Sequence, residues 1–191
     1  MVISIKNIAI YCGSKSGVDD RFLLEAKALG TMLAEKNVTI IYGGAECGLM
    51  GALADSCIAA GGRVVGVIPD AINNEVGHSG LEKLYIEKDM HARKQKMFDL
   101  ADAFIALPGG FGTFEELFEV LTWGQLGFHK KPVGILNTAN YYDGFVSFID
   151  HSVTQGFIKQ KHRDMLLSSS DITSLLEMIQ SHDPSFKDKW S

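Results

Sequence analysis

The chain has 191 residues, 46% of them hydrophobic and 21% charged, with 20 glycines, 4 prolines and a formal net charge of −5. That length fits one domain with a proper core, and the low proline content argues against disorder. No Lys/Arg run exceeds two residues, which excludes an extended nucleic-acid surface. No stretch approaches the roughly 18 consecutive apolar residues of a membrane span.

The N-terminal apolar run is too short for a signal sequence and reads instead as a first strand, Ile5 to Tyr11, ending at Cys12-Gly13-Ser14. A helix is expected from about Asp19 to Lys36, where Phe22, Ala26, Leu29 and Leu33 recur at helical spacing. Val38 to Tyr42 is the second strand, stopped by Gly43-Gly44. A small-residue helix from Leu49 to Ala60 ends at the cap pair Gly61-Gly62, and Arg63 to Ile68 forms the third strand. Residues 70–82 carry no period and read as a loop, with a short strand at Tyr85-Ile86. A helix from about Asp89 to Leu100 leads to a strand, Ala103 to Leu107, and into Pro108-Gly109-Gly110. Thr113 to Leu126 is helical, Val133 to Leu136 is a strand, and Tyr142 to Gln155 and Asp171 to Ser181 are helices.

Strand, short turn and helix in alternation imply an α/β, Rossmann-like, doubly wound and mainly parallel sheet with helices on both faces. Nothing resembles a linker, so residues 1–182 are expected to form a single nucleotide-binding domain, followed by a polar tail at 183–191. Cys12, Cys47 and Cys57 form neither a C-x-x-C pair nor an even set, and are expected as reduced thiols in a cytoplasmic protein. The six histidines show no metal-ligand spacing, so no metal is expected.

In such sheets ligands bind beyond the carboxyl ends of the strands, at a switch point. Three glycine-rich turns fall there, around Gly13–Gly17, Gly43–Gly51 and Gly109–Gly112, and they are expected to converge. Pro108-Gly109-Gly110-Phe111-Gly112-Thr113-Phe114-Glu115-Glu116 follows a strand and opens a helix. Its glycines let backbone N–H groups approach an anion at a helix N-terminus. It lacks both the lysine of a Walker loop and the spacing of a dinucleotide fingerprint. Thr113-x-x-Glu116 also matches a capping box, so both residues are open to a purely structural reading. Glu115 reads as a solvated flanking carboxylate.

Between Met90 and Ala101 a helical projection lines up Met90, Met97 and Ala101, with Arg93 and Lys94 on either side. Cations flanking an apolar stripe suggest a binding role; the alternative is that their stems snorkel and their heads stay in water. Lys96 reads as an ordinary surface lysine and His91 as structural. In the middle turn, Gly48 and Gly51 fit either close helix–sheet approach or ligand contact.

The turn at 43–51, the Arg93-Lys94 pair and the loop at 108–116, together and in that chain order, resemble the "Lonely guy" family of cytokinin riboside 5′-monophosphate phosphoribohydrolases over roughly residues 5–182. The resemblance implies hydrolysis of the N-glycosidic bond of a nucleoside 5′-monophosphate to free base and ribose 5-phosphate. It implies Arg93 and Glu116 as the catalytic pair. Substrate contacts are implied for Glu75, Lys94, Gly109, Gly110, Phe111, Gly112, Thr113, Phe114, Glu115 and Thr122, with no cofactor. A homodimer with sites near the subunit interface is implied as well. Ala45 departs from the third glycine of many relatives. Some relatives have carried a lysine decarboxylase label, but no lysine here has a recognisable pyridoxal phosphate context.

The implied chemistry suits the residue types. Glycosidic C–N cleavage builds positive charge on the ribose, which a carboxylate stabilises. The guanidinium of Arg93 does not give up a proton and instead holds oxygens in place. Two other readings remain open at this point: an AMP nucleosidase with no cytokinin preference, and a non-catalytic carrier of nucleotide or pterin-type cofactor. A nicotinamide oxidoreductase is weakened by the missing fingerprint.

Overall fold

Seven parallel strands lie side by side in the order β4-β3-β2-β1-β5-β6-β7. The structure is a computed structural model, and it describes residues 5–183. The polar tail expected at 183–191 lies outside the described residues, apart from Asp183. In chain order the strands are β1 (Asn7–Tyr11), β2 (Thr39–Tyr42), β3 (Val64–Pro69), β4 (Lys83–Glu87), β5 (Ala103–Ala106), β6 (Val133–Leu136) and β7 (Leu166–Ser169). The helices are α1 (Asp20–Glu35), α2 (Gly48–Ala59), α3 (Asp70–Val76), α4 (Met90–Leu100), α5 (Phe111–Gln125), α6 (Asp143–Thr154), α7 (Gln160–Arg163) and α8 (Ile172–Gln180). Among the described residues no helix is long and apolar enough to cross a membrane.

The central strands are continuous apolar runs because both sheet faces are covered. Side chains alternate between two cores. Ile8, Ile10, Ile40, Tyr42 and Ile105 point to the face packed by α1, α2 and α8. Ala9, Tyr11, Ile41, Phe104 and Ala106 point to the other, where Met97 of α4, Leu117 and Val120 of α5, and Tyr142 are buried.

One expectation fails here. Residues 70–82 are not all loop, since Asp70–Val76 is the helix α3. None of its residues is buried, so it has no apolar face to produce a period. The short strand expected at Tyr85-Ile86 is present and extends to five residues at the sheet edge, whereas β7 at the opposite edge had no expectation at all. Edge strands of mixed polarity lack the apolar run that marks the central ones.

β1 and β5 are neighbours, and the connections that leave their carboxyl ends run to opposite sides, β1 through α1 to β2 and β5 through α5 to β6. This is the switch point of the fold. All three glycine turns are tied together there. Gly13 N–H donates to the Pro108 carbonyl (3.0 Å), and the Gly13 carbonyl accepts from Leu49 N–H (3.1 Å) at the start of α2.

Candidate active site

Beyond the end of β1 lies a cavity of about 250 Å³, lined by Ile10–Ser14, Gly43, Met50, Arg93, Gly110–Thr113 and Glu116. One wall is the first turn of α5. The helix begins at Phe111 with Gly110 as its N-cap and no side-chain cap bond. Its first N–H groups have no carbonyl one turn back, and they carry the positive end of the helix dipole. A Cβ at Gly110 or Gly112 would meet no protein atom within 4 Å, so the space beside these two glycines is open. Gly109 is different, because a Cβ there would collide with the Thr113 side chain.

The capping-box reading of Thr113 and Glu116 is overturned. The helix starts two residues before Thr113, and Glu116 therefore sits in its second turn. Its carboxylate accepts from Arg93 Nη1 instead of returning to a cap N–H.

α4 supplies the opposite wall. Asp89 caps it by accepting from Ala92 N–H (2.8 Å), which fixes where the helix begins and which way Arg93 projects. Arg93 Nε donates to the Val67 carbonyl (3.2 Å), anchoring the guanidinium to β3 while Nη1 reaches Glu116. The two side chains are 12% and 10% exposed. A Cβ at Gly43 would collide with Arg93 Nη2, so the middle turn needs its first glycine to admit the arginine.

Burial raises the Glu116 carboxyl above its ordinary value. The charge and hydrogen bond of Arg93 oppose that shift without cancelling it. Tyr11 and Cys12, also on the cavity wall, are held protonated by burial and by the Glu116 charge.

Lys94 is buried, but its head is not in water as the snorkelling alternative requires. Nζ donates to Glu115 and to Glu119 (2.9 Å). Burial alone would lower this ammonium, but the two glutamates together raise it above its ordinary value. An amine nucleophile needs the opposite shift. Glu115 is half-exposed rather than simply solvated, being bonded to Lys94.

Other expected contacts lie elsewhere. Phe114 turns toward the core and packs against Tyr142 and Phe145. Phe111 is exposed on the cavity rim. Glu75 is exposed on α3 and does not line the cavity. Thr122 lines a separate cleft with Phe118, Leu121, Ile149 and Ile158. Met90 is exposed, unlike Met97 and Ala101, and its Sδ is 3.6 Å from Arg93 Nη1. Lys96 stacks over the Tyr85 ring at 4.5 Å and is not an ordinary solvated lysine, while His91 is exposed on α4.

In the middle turn, close approach explains most of the glycines. Gly44 and Gly48 have φ of +76° and +58°, and a Cβ at Gly51 would enter the Glu46 backbone. The cavity includes Ser14 and Gly43 of the turns expected at the ligand-binding edge, and also Tyr11 and Met50, for which the sequence reading held no binding role. That reading also missed Tyr141 and Tyr142, whose hydroxyls donate to the carbonyls of Gly109 and Leu107 and clasp the third turn from outside. Met50 shares the Gly43–Gly51 turn, which offered a signal, whereas Tyr11 and the two tyrosines of the clasp offered none. A second cavity of about 230 Å³, lined by Gly13–Gly17, Phe22, Leu49, Pro108–Gly110 and Tyr141, adjoins the first through Gly13, Ser14 and Gly110.

This architecture occurs in a molybdenum cofactor binding protein from Rippkaea orientalis, at a TM-score of 0.70 and 19% identity over 94% of this chain and 98% of that one. The molybdenum cofactor carrier protein from Chlamydomonas reinhardtii gives 0.68 and 20%, over 92% and 96%. At such identity the likeness is one of fold. A family model described as "Possible lysine decarboxylase" matches residues 50–179. The cytokinin riboside 5′-monophosphate phosphoribohydrolase of Rhodococcoides fascians is 43% identical over 178 residues, 92% of this chain and 90% of its own. Cytokinin riboside 5′-monophosphate phosphoribohydrolase LOG of Oryza sativa subsp. japonica is 42% identical over 183 residues, 95% of this chain and 76% of its own. With that identity over nearly its whole length, the chain belongs to the cytokinin riboside 5′-monophosphate phosphoribohydrolase (Lonely guy) family.

Proposed function

We propose that this chain hydrolyses the N-glycosidic bond of N6-substituted adenosine 5′-monophosphates, releasing the free base and ribose 5-phosphate. The observation that carries this reading is the buried Arg93–Glu116 pair facing an open helix N-terminus across one cavity. The N–H groups of the first turn of α5 receive the phosphate, with the Thr113 hydroxyl as a further donor. Arg93 holds ribose or phosphate oxygens and orients Glu116. As the C1′–N bond breaks, positive charge grows on the sugar, and the ionised Glu116 stabilises it. Water adds its hydroxyl to C1′ and its proton goes to the departing base. A carrier has no need of a carboxylate beside the sugar, so the pair favours hydrolysis over storage.

The reading places the activity in one nucleotide-binding unit, residues 1–182, working as a homodimer. Phe118, which lines the cleft with Thr122, is 41% exposed, and Phe148 and Phe157, next in sequence to its lining residues Ile149 and Ile158, are 62% and 87% exposed. Exposed aromatic surface of this kind supports a protein contact. Glu75 and Thr122 stand outside the cavity of a single chain, so their part in binding rests on a second subunit. The three free cysteines support a reducing, cytoplasmic setting.

Incubation with isopentenyladenosine 5′-monophosphate and with AMP, followed by chromatography of the free base, tests the function. Faster release from the isopentenyl substrate is expected. Equal release from both recasts the chain as an AMP nucleosidase, and no release from either overturns the hydrolase reading.

A further inference from the structure

Arg93 and Lys94 are neighbours on α4, about 100° apart around its axis, and each meets a different row of α5. Arg93 takes Glu116, which lines the cavity. Lys94 takes Glu115 and Glu119, one helical turn apart and so on one row of α5, and it does not line the cavity. We infer that Lys94 is a positioning residue and not a substrate contact: its ammonium clamps Glu115 and Glu119 and thereby sets the rotation of α5 that aims Glu116 at Arg93.

This inference rests on the proposed function and concerns how the same site is held. An ammonium has three donors, and two of those of Lys94 are spent on carboxylates. Its side chain is 8% exposed and that of Glu119 is 23% exposed. Swinging Nζ to a phosphate would break both bonds and leave Glu119 partly buried without its cation. Stability does not explain the arrangement, because well-packed apolar side chains often replace buried ion clusters at no loss. Geometry does, because two cations on one helix and three carboxylates on the next fix both the register and the rotation of the pair.

The test separates binding from catalysis in the full-length protein, with the wild-type enzyme's base release as the reference. If the wild type releases no base, the function fails, and the inference about Lys94 falls with it. Given an active wild type, Lys94→Met lowers kcat by about tenfold or more with KM changed less than about twofold, since a small misplacement of a reacting group is enough for that loss. Lys94→Arg, which can still bridge two carboxylates, recovers most of the kcat. Glu119→Gln severs the 2.9 Å bond while keeping the lysine, and it lowers kcat in the same direction even if Lys94→Met fails to fold. A raised KM with kcat preserved in Lys94→Met or Lys94→Arg, or an unaffected kcat in Glu119→Gln, would overturn the inference.

Discussion

Arg93 donates to the Glu116 carboxylate from a neighbouring helix, yet burial still holds that carboxyl above the ordinary glutamate range. The two effects serve different ends. The ion pair fixes the orientation, and the scarcity of water makes the charge more effective on a cationic transition state.

A pH dependence follows from that shift. The groups acting on Glu116 are Arg93 and Lys94, which lower its pKa, and Glu115, which with burial raises it; the sum is upward. The reaction needs the ionised form, so activity is present above the raised value and lost as pH falls through it. The acid limb of kcat/KM, which reports the free enzyme, is expected above the ordinary glutamate value of about 4.3. A limb at or below that value would contradict the shift.

Two glycine substitutions separate the pair from the phosphate cradle. Gly43→Ala puts a Cβ into Arg93 Nη2 and against Met50, so it displaces the guanidinium. It is expected to lower kcat by roughly a hundredfold, on the scale of a displaced catalytic group. Gly110→Ala meets no protein atom, so the fold stays intact and the methyl occupies the space meant for ligand. That change is expected mainly to raise KM. Steady-state kinetics with a circular dichroism control checks both.

The turn that carries the cradle is braced from outside. Tyr142 is fully buried, and its hydroxyl donates to the Leu107 carbonyl at 2.6 Å. Tyr142→Phe removes the donor and leaves a buried acceptor unpaired, at a cost of about 1–3 kcal/mol. Urea unfolding reads that loss directly.

The proposed dimer is tested by charge. Phe157→Asp with Phe118→Asp places two carboxylates at exposed aromatic positions, Phe118 on the wall of the Thr122 cleft and Phe157 beside its lining residue Ile158. Light scattering is expected to show a dimer for the wild type and a monomer for the double variant. A monomeric wild type contradicts the dimer.

How far the sequence reached depended on burial. The central strands and the long helices were legible because two covered sheet faces and one buried helix stripe leave clear periods. α3 and β7, at the margins, left none. The convergence of the glycine turns followed from the strand-to-helix order alone, and the bonds from Gly13 to Pro108 and Leu49 realise it. The partners of the charges were not legible. Glu116 was open to a helix-cap reading as well because its distance to Arg93 depends on how α4 and α5 lie against each other. Lys94 read as a snorkelling or binding lysine for the same reason. The tyrosine clasp is set by residues more than 30 positions away from the turn it holds.

The most direct test compares the wild type with Glu116→Gln on one nucleoside 5′-monophosphate, measuring free base and ribose 5-phosphate together. The wild type should release the two in equal amounts. The variant should lose about a thousandfold or more in kcat, the scale of a principal charge-stabilising group, while still binding ribose 5-phosphate. Unchanged turnover in Glu116→Gln would contradict the account, returning Glu116 to a structural role and removing the Arg93–Glu116 pair from the chemistry.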